Sequence, residues 1–222
     1  QNMLEEAYEA ADAIDHRDME NLKEELGDVL LQVVFHARMA QEEGQFTFDD
    51  VVDGVCQKLV FRHPHVFGAV DARDPEGALA TWDAQKRQEK GQRTTADAMD
   101  SVARAMPALM RAGKLQDKAR KAGFDWREVS PALDKLSEEL DELRRAVEEG
   151  SNVEEELGDL LFAAVKVGRF AGVDGEQALQ SACEKFIRRF RRVEELAPRP
   201  LQELEVPALE ELWRRAKEAE HC

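Results

Sequence analysis

The chain has 222 residues, with 47 acids against 31 bases and a net charge of −16. That surplus excludes a broad surface for polymeric nucleic acid or an anionic membrane, because phosphate backbones select the opposite sign. An apolar content of 43% excludes disorder. With 30 Ala, 29 Glu and 22 Leu against 18 Val, 4 Thr and 2 Ile, helix formers dominate, and the composition predicts an all-α protein of one or two domains. No apolar run approaches the roughly 20 residues of a membrane span, and no signal peptide is visible, although the chain starts at Gln1 inside what reads as a helix. Cys56, Cys183 and Cys222 are odd in number, widely spaced and without a C-x-x-C, which fits a reducing, cytoplasmic setting.

Helices are predicted from Met3 to His16 and from Met19 to Glu43, the second carrying Leu22, Leu26, Val29, Leu30, Val33 and Val34 at helical spacing and stopped by Gly44. Phe48 to Phe61 follows, with Asp49 and Asp50 in its first turn. His63 to Glu76, with two prolines and Gly68, reads as loop. Leu79 to Lys90 reads as helix and Gly91 to Thr95 as linker, which divides the chain into domains 1–95 and 96–222. The second half opens with a helix around Ser101 to Lys121, interrupted or entered at Pro107. Ser130 reads as an N-cap with Pro131 at the first helical position of a helix running to Glu149. After a turn at 150–152, helices follow over Val153–Ala171, Glu176–Leu196 and Pro207–Ala219, with a proline-containing loop at 197–206.

The halves repeat one another. Glu5-Glu6-x-x-Glu9 matches Glu138-Glu139-x-x-Glu142, and Glu24-Glu25-Leu26-Gly27-Asp28 matches Glu155-Glu156-Leu157-Gly158-Asp159. The separation from Glu6 to Asp28 is 22 residues and from Glu139 to Asp159 it is 20, a difference assigned to the turn. Cys56-x-Lys58-x-x-x-Arg62 matches Cys183-x-Lys185-x-x-x-Arg189, and Trp82-x-x-x-Lys86 matches Trp213-x-x-x-Lys217. Acids alone match easily in a Glu-rich chain; Cys, Lys, Arg and Trp in the same order do not, so the pattern is a tandem duplication with a period of about 131 residues. The segment before Glu138, including Phe124-Asp125-Trp126, has no counterpart ahead of Glu5, and the native chain is expected to extend upstream.

Residues three or four apart share a helix face, so Glu139 and Glu142 point one way, as do Glu156 and Asp159. Two antiparallel helices would bring the four carboxylates together. Such a cluster repels itself and is costly to bury without a cation, and its hard oxygens select Mg²⁺ or Mn²⁺ over zinc. Asp159 in the apolar run Leu157–Val165, and Asp28 in Leu26–Phe35, stand where a solvated acid is out of place. Carboxylate-held cations bind phosphates. Lys185 with Arg189, and Trp213 with Lys217, each lie one turn apart, where cations clamp a polyphosphate and an indole stacks on a base. His63-Pro64-His65 is read as loop rather than ligand, and Cys56 and Cys183 as buried packing residues. No Walker A loop, Gly-x-Gly-x-x-Gly or Gly-x-Ser-x-Gly occurs.

The doubled Glu-Glu-x-x-Glu, Glu-Leu-Gly-Asp and Lys-x-x-x-Arg set resembles the two-domain MazG nucleoside triphosphate pyrophosphohydrolases, as do the stretches Glu24 to Glu43, Arg62 to Phe67 and Gly123-Phe124-Asp125-Trp126. The resemblance implies a tandem all-α helical bundle, assembled as a homodimer or higher. It also implies Mg²⁺-dependent hydrolysis of NTPs and dNTPs between the α and β phosphates. It assigns Glu139, Glu142, Glu156 and Asp159 as metal ligands, Lys135, Lys185, Arg189 and Lys217 as triphosphate contacts, Trp213 as a base or ribose contact, and Glu138 as a candidate proton acceptor. The first domain keeps Glu6, Glu9, Glu25 and Asp28 for metal and Lys58, Arg62, Trp82 and Lys86 for substrate. It departs at Asn2, where the second has Lys135, and at Tyr8, where the second has Asp141. Catalysis is therefore expected in the second domain. A ferritin-like oxidase needs Glu-x-x-His from two helices, and the one Glu-x-x-His here is Glu218 to His221. A helical interaction protein with decorative acids is the rival outside enzymology; it predicts no response to NTP or Mg²⁺.

Overall fold

The computed structural model describes residues 2–67, 82 and 85–219, and every regular element among them is helical. The chain divides into two compact units, Gln1–Gly91 and Gln92–Cys222.

In the first unit α1 (Asn2–His16) and α2 (Met19–Glu42) form the most extensive pairing, and α3 (Phe48–Arg62) packs on α2. Local chemistry sets the starts. Asp18 accepts from the Asn21 amide at 3.1 Å ahead of α2. Thr47 and Asp50 form a capping box ahead of α3, in which each side chain satisfies the other's backbone amide. The expected loop at His63 instead continues into a short helix, α4 (Pro64–Phe67), because Pro64 presets its first position and the Val66 and Phe67 amides donate to the His63 carbonyl. The remainder of that loop, 68–76, and the start of the helix expected from Leu79 lie outside the described residues; residues 85–89 are helical.

In the second unit α5 (Thr95–Asp100) begins inside the stretch read as linker, since Thr94 and Asp97 form a second capping box. Of the two alternatives read at Pro107, the structure has the entry: α6 (Ala108–Lys121) begins after Pro107, and 101–106, expected as the start of the helix, is irregular. Helix α7 (Ser130–Glu149) starts one residue earlier than expected. Ser130 is its first helical residue and does not cap it. Helix α8 (Val153–Phe170) returns antiparallel after Gly150, Ser151 and Asn152, with Gly150 at φ +67° and Asn152 at φ +56° supplying the left-handed conformations of the turn. Then come α9 (Gly175–Leu196), a 3-10 turn (Leu201–Glu203) within the predicted loop, and α10 (Val206–Ala219).

The two-residue offset between the repeats does not lie in the turn. Helix α2 has six residues ahead of Glu25 where α8 has three ahead of Glu156, and the α1–α2 connection is one residue shorter than the α7–α8 connection. The core is built on alanine. Ala112, Ala132, Ala146, Ala163 and Ala216 are buried with Val165, Val193 and Leu212, so helices approach closely without large interior side chains. Helices α6, α8 and α9 converge on Val165, where Gly113 and Gly175 leave room for it. Val193, Leu212 and Ala216 tie α9 to α10. Many large apolar residues stay at the surface, among them Leu26, Leu30, Phe35, Leu157, Leu161 and Phe162. The apolar runs around Asp28 and Asp159 are therefore largely surface, and Asp159 is exposed. Cys56 and Cys183 are free and exposed, against the expectation that they are buried.

Candidate active site

Helices α7 and α8 bring Glu139, Glu142 and Glu156 together, with one oxygen of each within 4.8 Å of the others. The helical repeat explains the set. Glu139 and Glu142 lie three apart on one face of α7, and the three-residue turn returns Glu156 opposite them. Glu139 is 6% exposed, a buried carboxylate facing two partners of its own sign. Desolvation, followed by repulsion from Glu142, Glu155, Glu139 and Asp159, holds the Glu156 carboxyl above the ordinary Glu range. Asp159 thus acts on the cluster electrostatically but stands outside the close triad. Glu142 and Glu156 also border an open cleft of about 170 Å³, lined further by Arg145, Glu149, Ser151 and Asn152.

Lys135, one turn before Glu139, donates to Glu139 at 2.8 Å and to Glu138 at 2.9 Å. These two bonds hold the Lys135 ammonium well above the ordinary lysine range. Glu138 stands outside the triad and is exposed.

The first unit builds a similar site from different members of the repeat. Glu6, Glu25 and Asp28 meet within 4.8 Å, and the Gln32 amide donates to Glu6 at 3.3 Å. Glu9 is outside that triad. Desolvation and then the charges of Glu25 and Glu6 raise its pKa. Desolvation and then Asp28, Glu24 and Glu6 raise that of Glu25. Asn2, standing where the second unit has Lys135, supplies no ammonium to Glu6.

Three of the four cationic or aromatic residues expected in the first unit come together. Arg62 lies 5.5 Å and Lys86 4.5 Å from the centre of the Trp82 ring. Lys58 stands one turn before Arg62 on α3 and is exposed. In the second unit Lys185 and Arg189 share a face of α9, and Trp213 and Lys217 a face of α10. Trp213 is half-buried against the Val193–Leu212–Ala216 cluster, with Phe186 at 5.3 Å between ring centres, so it carries packing as well as any ligand role.

Two sets escaped the sequence reading. Glu89 accepts from Arg62 at 2.7 Å in a half-buried pair; Trp82-x-x-x-Lys86-x-x-Glu89, repeated as Trp213-x-x-x-Lys217-x-x-Glu220, was its available signal. Asp125 binds Lys166 at 2.7 Å and Arg169 at 2.5 Å, and the Lys166 ammonium lies 5.2 Å from the Trp126 ring centre. The signal there was Lys166, a lone cation in the apolar stretch Leu160–Val167.

Comparison with known proteins agrees with this architecture. The model of the MazG nucleotide pyrophosphohydrolase domain matches twice, over residues 1–67 and 127–193, so that each match contains one acidic triad. The chain is 46% identical over 98% of its length to a nucleoside triphosphate pyrophosphohydrolase of Escherichia coli (strain K12), covering 85% of that protein. It is 43% identical over 97% of its length to the nucleoside triphosphate pyrophosphohydrolase/pyrophosphatase MazG of Thermotoga maritima, covering 83% of it. It is also 45% identical over 99% of its length to YabN of Bacillus subtilis, covering 46% of it. With its helical unit repeated, its two acidic triads on matching helix pairs and these relatives aligned along nearly the whole chain, the protein belongs to the MazG nucleotide pyrophosphohydrolase family.

Proposed function

We propose that this chain hydrolyses nucleoside triphosphates between the α and β phosphates, with Mg²⁺ or Mn²⁺, releasing a nucleoside monophosphate and pyrophosphate. Domain 96–222 is the catalytic one in this reading, and domain 1–95 is a weaker or regulatory copy. The observation that carries it is the convergence of Glu139, Glu142 and Glu156, with Lys135 against them, in a member of a family of phosphoric-anhydride hydrolases.

The donor set fits a hard divalent cation. It is all carboxylate, one member is buried, and Lys135 now supplies the compensating positive charge. Glu139, Glu142 and Glu156 would hold the ion, with Asp159 adjacent. When bound, it would neutralise phosphate charge and polarise the reacting phosphoryl group. Lys135 would then turn from Glu139 to the triphosphate. Lys185, Arg189 and Lys217 would bind the β and γ phosphates, and Trp213 the base or ribose. A water oxygen forms the new bond to the α phosphorus, the bridging bond to the β phosphate breaks, and pyrophosphate leaves with the bonding pair. Glu138, next to Glu139 and outside the triad, would take the water's proton.

A homodimer or higher oligomer completes the reading. Leu26, Leu30 and Leu31 on α2, and Leu157, Leu161 and Phe162 at the equivalent places on α8, are large and exposed in both copies of the repeat, which supports burial against a second chain. Among the described residues no helix is long and apolar enough to cross a membrane.

The test is product analysis on a panel of NTPs and dNTPs with Mg²⁺. Monophosphate and pyrophosphate are expected. Diphosphate and orthophosphate would overturn the cleavage position, and no turnover together with no effect of NTP or Mg²⁺ on melting would favour an interaction protein.

A further inference from the structure

The helix pair that carries the second acidic triad is fastened at both ends. At one end the turn 150–152 joins α7 to α8. At the other, the loop that leads into α7 is pinned to the last turns of α8 through Asp125. Its Oδ1 lies 2.7 Å from the Lys166 ammonium and its Oδ2 2.5 Å from the Arg169 guanidinium. Oδ1 also accepts from the backbone amide of Trp126 at 2.9 Å, which fixes the loop's own conformation. All three charged side chains are largely buried, Asp125 being 10% exposed. A carboxylate in that position with two cations on it is a rigid, directional contact rather than a fluctuating surface pair. Lys166 is seven residues beyond Asp159, two turns along the same face of α8, so the pin grips the helix that carries Glu156.

The first unit provides a contrast within one chain. By the repeat, Lys166 corresponds to Phe35 and Arg169 to Arg38. Phe35 is exposed, and Arg38 pairs with Glu42 on the surface of its own helix. The first helix pair therefore has its turn but not the cation pair that receives Asp125. It also closes a different triad, without its Glu142 equivalent Glu9.

We propose that Asp125 is a positioning residue, which through Lys166 and Arg169 sets the spacing of α7 against α8 and so holds Glu139 and Glu142 in register with Glu156. This rests on the metal reading above. Asp125 does not touch the carboxylates. It acts through the helix that carries Glu156, as outer contacts set ligand geometry in metal sites generally.

The test measures Mn²⁺ binding by electron paramagnetic resonance of the free ion, without nucleotide. It uses the full chain in a Glu25→Gln background, so that the second unit reports. The parent, Asp125→Asn, Asp125→Glu and Val193→Ala are compared well below their melting temperatures, with far-UV circular dichroism as the fold check. Val193 lies in the α9–α10 core and serves as a control for general destabilisation. Asp125→Asn is expected to weaken Mn²⁺ binding about tenfold, Asp125→Glu to recover part of it, and Val193→Ala to lower melting with no change in affinity. If Asp125→Asn fails to fold, Lys166→Met replaces it and is read the same way. Affinity within twofold of the parent for the folded pin variant, or equal loss in Val193→Ala, would overturn the inference. A parent that binds no Mn²⁺ would overturn the metal reading itself and the inference with it.

Discussion

Lys135 reaches forward one helical turn to place its ammonium 2.8 Å from Oε1 of Glu139, the buried member of the acidic triad. A buried carboxylate needs a cation, and this one has it from its own helix. The same lysine is the proposed triphosphate contact, so its two tasks separate in time. Replacing it with a neutral side chain of similar length should expose both. Lys135→Gln is expected to raise KM for NTP about tenfold or more. It should also lower the melting temperature without divalent cation, while Mg²⁺ restores most of the loss. Unchanged melting in the metal-free chain would mean that Glu139 does not depend on Lys135.

The assignment of catalysis to the second domain is tested by paired substitutions at repeat-equivalent acids. Glu142 belongs to the close triad of its unit, whereas Glu9 is outside the triad of its own. Glu142→Gln should lower pyrophosphate release by about a hundredfold or more, and Glu9→Gln should leave most of it. The reverse pattern, measured on the same NTP at saturating Mg²⁺, would move the active site to the first domain.

Desolvation, with mutual repulsion added to it, makes the metal-free chain pH-sensitive in a defined direction. Glu9, Glu25 and Glu156 all have folded-state pKa values above the ordinary range. A raised folded pKa means that the native state binds protons more tightly than the unfolded one. Stability therefore increases as pH falls through the folded value and levels off below the unfolded value near 4.3. Without divalent cation, melting should rise between pH 7.5 and pH 5. Mg²⁺ competes for the same oxygens, so at a hundredfold excess over Kd it should raise melting by about 4 °C or more at pH 7.5 and by much less at pH 5. Equal Mg²⁺ shifts at the two pH values would separate the ion from these carboxylates.

How much of this was legible in the sequence follows from the range of the interactions. The acidic helix pairs were readable because Glu-x-x-Glu and Glu-x-x-Asp report a face of a single helix, and Gly150 marks the turn that folds one pair back. Asp159 and Glu9 were not separable from the other acids by spacing, since which three of four carboxylates meet depends on the rotation of one helix against another. The apolar stretches around Leu26 and Leu157 have core-like composition but are exposed in this chain, because helical periodicity marks an apolar face without saying what, if anything, covers it. The Asp125 pin joins residues more than 40 apart, and local periodicity carries no information about it.

Those apolar faces lead to a prediction about assembly. Leu30 and Leu161 occupy equivalent positions in the repeat and are 56% and 45% exposed. A charge at either place costs little in a monomer and much in an interface. Sedimentation velocity should find the unmodified chain as a dimer or larger, and Leu30→Glu with Leu161→Glu should shift it toward monomer with its helical content retained. A monomeric unmodified chain at micromolar concentration would remove the oligomer from the reading.

The contact between Arg62 and Glu89 assigns the first unit's phosphate-type cation an internal partner. The guanidinium Nε lies 2.7 Å from Glu89 Oε2, both side chains are half-buried or more, and the hydrogen bond from Arg62 holds the Glu89 carboxyl below the ordinary Glu range. Trp82 lies against the same guanidinium, so three side chains share one contact. Such a group is non-additive, because removing either charge leaves the other without its partner. Arg62→Met and Glu89→Gln should each lower melting, and the double substitution should cost less than the two single losses together. Because the folded pKa of Glu89 is depressed, the pair's contribution is complete above the unfolded value near 4.3 and disappears as pH falls through the folded one. The coupling measured at pH 7 should therefore vanish in acid. Additive losses at pH 7 would show that Arg62 and Glu89 are neighbours without mutual stabilisation, and would leave Arg62 available to a phosphate.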